Sequence, residues 1–335
     1  MATFLSGGTG YIGHKLLHAL ASSGEQVHLL LRKQSDRTGL EHPKIRLFEG
    51  NILDQESLRR AVRGCTRAYH LAAYARVWAP SQEVFLTYNV GGLRNVLDVC
   101  VECGVERVVF TSSALTIGPT DGFPANELFL RGNHFFTEYE HSKYLAEKEA
   151  TTYVARGLQV LIVNPTRVYG PGRMTEANAV TRMFALYGKG KFPLLLGHGE
   201  HVGNYVFVDD VVSGHRLAME KGRAGERYIL GGENASLKEL FDMFREVTGI
   251  RRYQTKVPPW VARKFGQLEE LRARMFCSSP FISRGWVETF LHDWAVSSQK
   301  ASNELGFTIT PLREGISRTW KWLVNGPGKS FLEKL

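Results

Sequence analysis

Ala2-Thr-Phe-Leu-Ser6-Gly7-Gly8-Thr9-Gly10-Tyr11-Ile12-Gly13 decides how the rest of the chain is read. Ala2–Ser6 is a short apolar run, and Tyr11–Ser23 carries its apolar residues at helical spacing, so a strand, a tight turn and a helix are predicted in succession. Gly7, Gly10 and Gly13 set the turn in a G-x-x-G-x-x-G pattern. Glycine allows the sharp bend and lets the backbone come close to an anion, and the helix start offers unpaired N–H groups at the positive end of its dipole. A turn of this kind after a first strand suits the pyrophosphate of a dinucleotide, with Thr9, Tyr11 and Ile12 completing the contact surface.

The following residues repeat the rhythm. Gln26–Leu31, Lys44–Phe48, Arg67–Ala72, Arg107–Ser112 and Gln159–Asn164 read as strands. Helices are predicted between them: from a cap at Asp54 to about Arg63, over Glu83–Cys103 and over Glu138–Ala155. The apolar runs lack polar alternation, as strands covered on both faces do. The fold class is therefore α/β, a doubly wound parallel sheet of the Rossmann kind. After Pro165, loops rich in Gly and Pro separate shorter elements. Helices are predicted over Asp209–Lys221, capped by Asp209, over Ser236–Thr248, where Ser236-Leu-Lys-Glu239 is a capping-box pattern, and over Pro311–Val324. Residues 1–165 are expected to form the dinucleotide-binding core. Residues 166–335 are expected to form a smaller, mainly helical substrate lobe interleaved with the end of the sheet.

Composition narrows the function. The chain has 335 residues, 43% of them hydrophobic, enough for a substantial core. No apolar run approaches the roughly 18–20 residues of a membrane span, and the first residues do not resemble a leader, so a cytoplasmic protein is expected. Of the four cysteines, Cys100 and Cys103 have the spacing of a redox or metal pair but fall at the end of a predicted amphipathic helix, while Cys65 and Cys277 form no second pair. His198 and His201 share a loop without further ligands at metal spacing, so no metal is expected. The net charge is +9. Its densest stretch, from Arg251 to Arg284, reads as a solvated helical face, and the expected partner is a small molecule, not nucleic acid.

The second strand should end near the adenosine ribose. An acidic side chain there would suit NAD, but this chain has Arg32, Lys33 and Ser35, which suit a 2′-phosphate and so NADP(H). Tyr139 and Lys143 stand one helical turn apart, and a nearby ammonium is expected to make a phenol more acidic, ready to exchange a proton with a carbonyl or an alcohol. Thr111-Ser112-Ser113 places hydroxyls at the carboxyl edge of the sheet, and Asn89 lies on the preceding long helix, where it can fix waters or backbone near the lysine.

These motifs stand in a fixed order with His70-Leu71-Ala72-Ala73, Pro165-Thr-Arg-Val168-Tyr169-Gly-Pro171 and Tyr205-Val-Phe-Val-Asp-Asp210. The chain as a whole resembles the extended short-chain dehydrogenases/reductases, most of all the dihydroflavonol-4-reductase-like and 3β-hydroxysteroid dehydrogenase-like branch. The resemblance implies that Ser113, Tyr139 and Lys143 are catalytic and that Lys143 also holds the nicotinamide ribose. It further places Leu71, Ala72 and Ala73 along the cofactor, with Asn89 and Thr111 nearby, Asn51 and Ile52 at the adenine, and Pro165 and Val168 beside the nicotinamide. Tyr74, Trp78, Ser113 and Tyr169 are candidate substrate contacts, with Phe123, Phe135, Phe136 and Phe192 as further aromatic wall candidates. Family members are often dimers, and a homodimer packed through the long central helices is compatible with the sequence.

An NADP(H)-dependent carbonyl reductase acting on a bulky, partly apolar substrate accounts best for these features. Sugar-nucleotide relatives usually carry an arginine where this chain has Asn164. Arg173 and Arg216 nevertheless keep a nucleotide-sugar epimerase or dehydratase open, and the basic surface keeps open a non-catalytic NADP-binding regulator.

Overall fold

The computed structural model describes residues 2–335 except positions 77, 121, 133, 176, 177, 193 and 277. The first half alternates strand and helix: β1 (Ala2–Ser6), α1 (Tyr11–Ser22), β2 (Gln26–Leu31), β3 (Ile45–Glu49), α2 (Gln55–Val62), β4 (Cys65–His70), α3 (Glu83–Leu86), a π-helical turn (Thr87–Gly91), α4 (Gly92–Glu102), β5 (Arg107–Thr111), α5 (Glu138–Thr152) and β6 (Gln159–Pro165). The second half holds β7 (Arg167–Tyr169), α6 (Ala179–Gly188), β8 (Leu194–Leu196), β9 (Val202–Phe207), α7 (Val208–Lys221), β10 (Arg227–Leu230), β11 (Glu233–Ser236), α8 (Leu237–Thr248), β12 (Thr255–Val257), α9 (Pro259–Met275), α10 (Arg284–Phe290), α11 (Gln299–Leu305), α12 (Leu312–Asn325) and α13 (Lys329–Lys334).

The main sheet is a parallel Rossmann-like sheet with the order β10-β6-β5-β4-β1-β2-β3. Successive side chains of its strands enter opposite cores, as a two-residue repeat requires. Phe4, Ala68, Val108 and Phe110 pack under α2, α4 and α5 with Leu58, Leu93, Val96 and Ala146. Leu5, Tyr69, Val109 and Leu161 pack under α1, α7 and α11 with Leu16, Leu20, Val211 and Ala301. Strand order reverses direction between β1 and β4, where the chain leaves a crevice beyond the carboxyl ends.

A third core, built from Tyr169, Phe184, Tyr187, Phe207, Phe241 and Phe244, joins β7, β9, α6 and α8. A small sheet, β11-β9-β7, runs through this region. β10, although it lies beyond residue 165, pairs with β6 and completes the main sheet.

Two local expectations change. The span 83–103 is not one α-helix, because the π-helical turn at Thr87–Gly91 interrupts it. Asp209 does not cap α7: Phe207 holds the cap position, and Asp209 in the first turn pairs with Lys15 at 2.7 Å and Arg318 at 3.0 Å. Cys65 and Cys100 are buried, and burial raises both thiols above their ordinary range, Cys65 to about 12. Cys277 lies outside the described residues. Among the described residues no group of three or more His, Cys, Asp or Glu side chains could hold a metal, and no helix is long and apolar enough to cross a membrane.

Candidate active site

The glycine turn sits against the chain that leaves β4. Gly7 has φ +81°, and a Cβ there would stand 2.5 Å from the Ala72 nitrogen. A Cβ on Gly13 would stand 2.2 Å from the Gly7 carbonyl oxygen. Both positions therefore require glycine, and α1 starts with its amide groups open toward the crevice. Tyr11 lines the crevice at this turn, and its buried hydroxyl donates to the Gly170 carbonyl at 2.9 Å.

α5 begins at a firm cap. Thr137 Oγ1 accepts from the Glu140 amide at 3.1 Å, and the buried Glu140 carboxylate accepts from Arg131 at 2.7 Å and from the Phe136 amide at 3.0 Å. The helix then carries Tyr139, Lys143 and Glu147 on one face. Lys143 is buried, donates to the Thr111 carbonyl at 2.7 Å and lies 4.3 Å from the centre of the Phe110 ring. Burial pushes its ammonium down to about 7, with Glu147 acting in the opposite direction.

The partner strand is braced as well. His215 Nδ1 lies 2.7 Å from the Val211 carbonyl, which can only accept, so Nε2 is the acceptor for the Thr111 hydroxyl at 2.8 Å. Burial holds His215 down to about 4, in keeping with a neutral ring. Asn164 Nδ2 donates to the Ser113 carbonyl at 3.1 Å and to Glu147 at 2.6 Å. Glu147 also accepts from Thr116 at 2.8 Å and Arg227 at 3.1 Å, so a buried polar network fixes the turn that carries Ser113.

The side chains of Ser113 and Tyr139 both line the crevice, near enough for Ser113 to act on the phenol. The phenol is not made acidic as its spacing from Lys143 suggested. Burial pushes Tyr139 up to about 12, and only the nearby Ser113 side chain opposes it. The ammonium spends a hydrogen bond on the sheet edge instead, and Tyr139 is held as a proton donor at neutral pH.

A cavity of about 1010 Å³ runs past these groups. Along it lie the glycine turn with Thr9 and Ile12, then Arg32, Ser35, Asn51 and Ile52 at one end, Leu71, Ala72 and Ala73 in the middle, and Thr111, Ser113, Tyr139, Lys143, Pro165 and Val168 at the other. Residues 3–231 match the NAD dependent epimerase/dehydratase family. The chain belongs to that family.

Two curated relatives span nearly its whole length. One is the "Putative dihydroflavonol 4-reductase" of Synechocystis sp., 30% identical over 96% of this chain and 94% of its own. The other is sterol demethylase protein B of Methylococcus capsulatus, 29% identical over 96% of this chain and 98% of its own. Among solved structures, the dTDP-glucose 4,6-dehydratase DesIV of Streptomyces venezuelae, a double mutant with NAD and DAU bound, is 25% identical, with a TM-score of 0.80 over 99% of this chain and 100% of its own.

Four expected contacts of this family member fall away from the cavity. Lys33 is exposed and outside the lining, leaving Arg32 and Ser35 at that end. Asn89 is buried in the π-helical turn, where it accepts from the Tyr74 amide at 2.7 Å and donates to Ser142 at 2.8 Å. It thereby ties the loop after β4 to α5. Trp78 lies outside the lining. Tyr169 is packed between Phe184 and Phe207 in the third core.

The aromatic wall also differs. Tyr74 lines the cavity, but Phe123 is exposed, Phe135 stacks near Arg131 and His141, Phe136 packs on His292, and Phe192 packs on Phe241. The wall comes instead from Trp286, Thr289 and Phe290 of α10, with Trp294 and Val296 after it and Arg167 and Asn204 beside it. No spacing in the sequence marks these residues. Gly285 gives the one local hint, since a Cβ there would stand 2.4 Å from the Phe136 carbonyl oxygen, where α10 meets the start of α5.

Proposed function

We propose that the chain is an NADP(H)-dependent oxidoreductase that reversibly reduces a ketone or aldehyde of a bulky, partly apolar substrate to the alcohol. The observation that carries this reading is that Ser113 and Tyr139 line one cavity with Trp286, Phe290 and Trp294. Ser113 and Tyr139 meet the carbonyl oxygen of the substrate, and Tyr139 gives up its proton to that oxygen. When bound, the nicotinamide supplies the hydride. Lys143 sits one turn behind Tyr139 with its charge beside the phenolate left by the transfer, and solvent returns the proton. Oxidation of an alcohol runs the same path backward.

The dinucleotide fits the residues present. Gly7 and Gly13 leave the backbone approachable where Cβ atoms would collide, and Ala72 and Ala73 keep the passage narrow in side-chain bulk. Arg32 lines the adenosine end, and among the described residues its side chain makes no hydrogen bond or ion pair, while its carbonyl accepts from the Ser35 amide at 2.9 Å. Its open guanidinium beside Ser35 favours a 2′-phosphate, hence NADP(H) over NAD. In this reading residues 1–165 hold the dinucleotide and residues 166–335 mainly shape the substrate side.

A nucleotide-sugar epimerase or dehydratase is the second reading, favoured by Arg167 on the cavity and by the likeness to the dTDP-glucose dehydratase. Arg167, however, already donates to the Thr289 carbonyl at 2.9 Å, and Arg173 is paired with Asp36 outside the cavity. A diphosphate would find few uncommitted cations. The experiment is a panel of aromatic and polycyclic ketones and aldehydes, followed through NADPH absorbance, alongside conversion of UDP- and dTDP-sugars. Reduction of the carbonyl panel with no sugar conversion supports the proposal. Sugar conversion without NADPH consumption overturns it.

A further inference from the structure

The stretch from Arg251 to Arg284 carries α9. α9 is 17 residues long, about 25 Å at 1.5 Å per residue. Trp260, Lys264, Leu268, Leu271 and Met275 recur every three or four residues on one stripe, and Phe265, Arg272 and Phe276 widen it. The six apolar members of this set are between 48% and 69% exposed. The opposite side is made of Ala262, Gly266 and Ala273, small residues that let α9 lie close on α10. A Cβ on Gly266 would stand 3.1 Å from the Arg284 nitrogen, and Ala262 packs with Val287 and Leu291. The helix is therefore inverted relative to an ordinary surface helix: its small face is inside and its large apolar face is outside.

Charge sets the partner. Residues 251–284 hold eight arginines and lysines against two glutamates, a net +6 of the +9 for the whole chain. Both glutamates are spoken for within the unit. Glu269 accepts from Arg272 at 2.9 Å and from the Phe281 amide at 2.9 Å, and Glu270 accepts from the Arg284 amide at 2.7 Å. Among the described residues Arg251, Lys264 and Arg274 meet no carboxylate. Phe281 adds an exposed ring just after the helix.

We propose that α9 docks this protein on the surface of an anionic lipid bilayer, its Trp260–Phe276 apolar stripe in the headgroup region and its arginines and lysines on the lipid phosphates. An interfacial helix combines these features, a broad apolar face flanked by cations. Since no helix among the described residues is long and apolar enough to cross the bilayer, the contact lies in its plane. A second copy of the chain is a poorer occupant, because a two-fold contact sets the same cations against each other. α10, on which α9 rests, gives Trp286, Thr289 and Phe290 to the cavity wall. The docking helix thus backs directly onto the substrate side, within reach of molecules dissolved in the lipid. The docking itself does not depend on the catalytic proposal.

The test is flotation of the full chain with vesicles of phosphatidylcholine alone and of phosphatidylcholine mixed with phosphatidylglycerol, at low and high salt. The bound fraction should be at least about tenfold greater on the anionic vesicles and should fall with salt. Leu268→Glu combined with Leu271→Glu, both exposed and outside the cavity, should abolish flotation while leaving NADPH affinity and the circular dichroism spectrum unchanged. Absence of flotation on either vesicle, or equal flotation of the double variant, would overturn the proposal. So would a dimer in sedimentation that the double variant splits while neither protein floats, which would give the face to a second copy.

Discussion

Lys143 reaches across from α5 to donate its ammonium to the carbonyl oxygen of Thr111 at 2.7 Å, at the carboxyl end of β5. That bond sets the distance between the helix that carries Tyr139 and the sheet edge that carries Ser113. Thr111 is itself held by neutral His215, and the turn after it by Asn164 and Glu147. The hydroxyl pair is therefore positioned by buried polar groups on both sides before any ligand arrives.

The pH dependence follows from the two shifts. Tyr139 is raised to about 12, so its phenol stays protonated through the neutral range. Lys143 is lowered to about 7, so its charge, which supports the phenolate formed in reduction, is present below that value and is lost as pH rises through it. Carbonyl reduction should decline above about pH 7, and alcohol oxidation, which must take a proton from the substrate, should gain relative to it. Initial rates in both directions across the range check this. A reduction rate that is flat from about pH 6 to about pH 9 would exclude Lys143 as the titrating group.

Arg32→Ala should lower the preference for NADPH over NADH by about 10- to 100-fold, the worth of one charge-assisted hydrogen bond to phosphate. Lys33→Ala, removing an exposed side chain outside the cavity, should change it little. Dissociation constants from dinucleotide fluorescence give both ratios. An unchanged ratio in the Arg32 variant would remove the basis for the NADP assignment.

Trp286→Ala opens the aromatic wall of the cavity that Ser113 and Tyr139 also line. KM for a polycyclic ketone should rise on the order of tenfold, while KM for a small aldehyde should hardly change, because apolar contact in such a pocket is worth about 1–3 kcal/mol. Parallel rises for both substrates would mean that the residue supports the fold and not the pocket.

The parts of this site that were legible in the sequence are local. Gly7 and Gly13 betray a turn by spacing alone, and Tyr139 and Lys143 share a helix face by spacing alone. The rest depends on what the fold brings from far along the chain. Trp286 and Trp294 reach the cavity only because α10 packs against the start of α5, and no periodicity announces that. Tyr169, inside a conspicuous motif, goes to the third core because Gly315 leaves room for its hydroxyl: a Cβ there would lie 2.1 Å away. Asn89 has a structural duty that a regular helix would not allow, because the π-helical turn brings its amide into bonding contact with Tyr74 and Ser142. The sign of the Tyr139 shift was also hidden: spacing shows that an ammonium is near, but only the packed structure shows that burial raises the phenol while Lys143 turns to the Thr111 carbonyl.

The most direct measurement is turnover by Tyr139→Phe with a reducible carbonyl substrate, set beside its affinity for NADPH. The phenyl ring keeps the packing on α5 and loses only the hydroxyl. Turnover should fall on the order of a thousandfold, with NADPH binding within about twofold of the parent. A near-normal kcat in that variant would contradict the account, because the proton would then come from somewhere else.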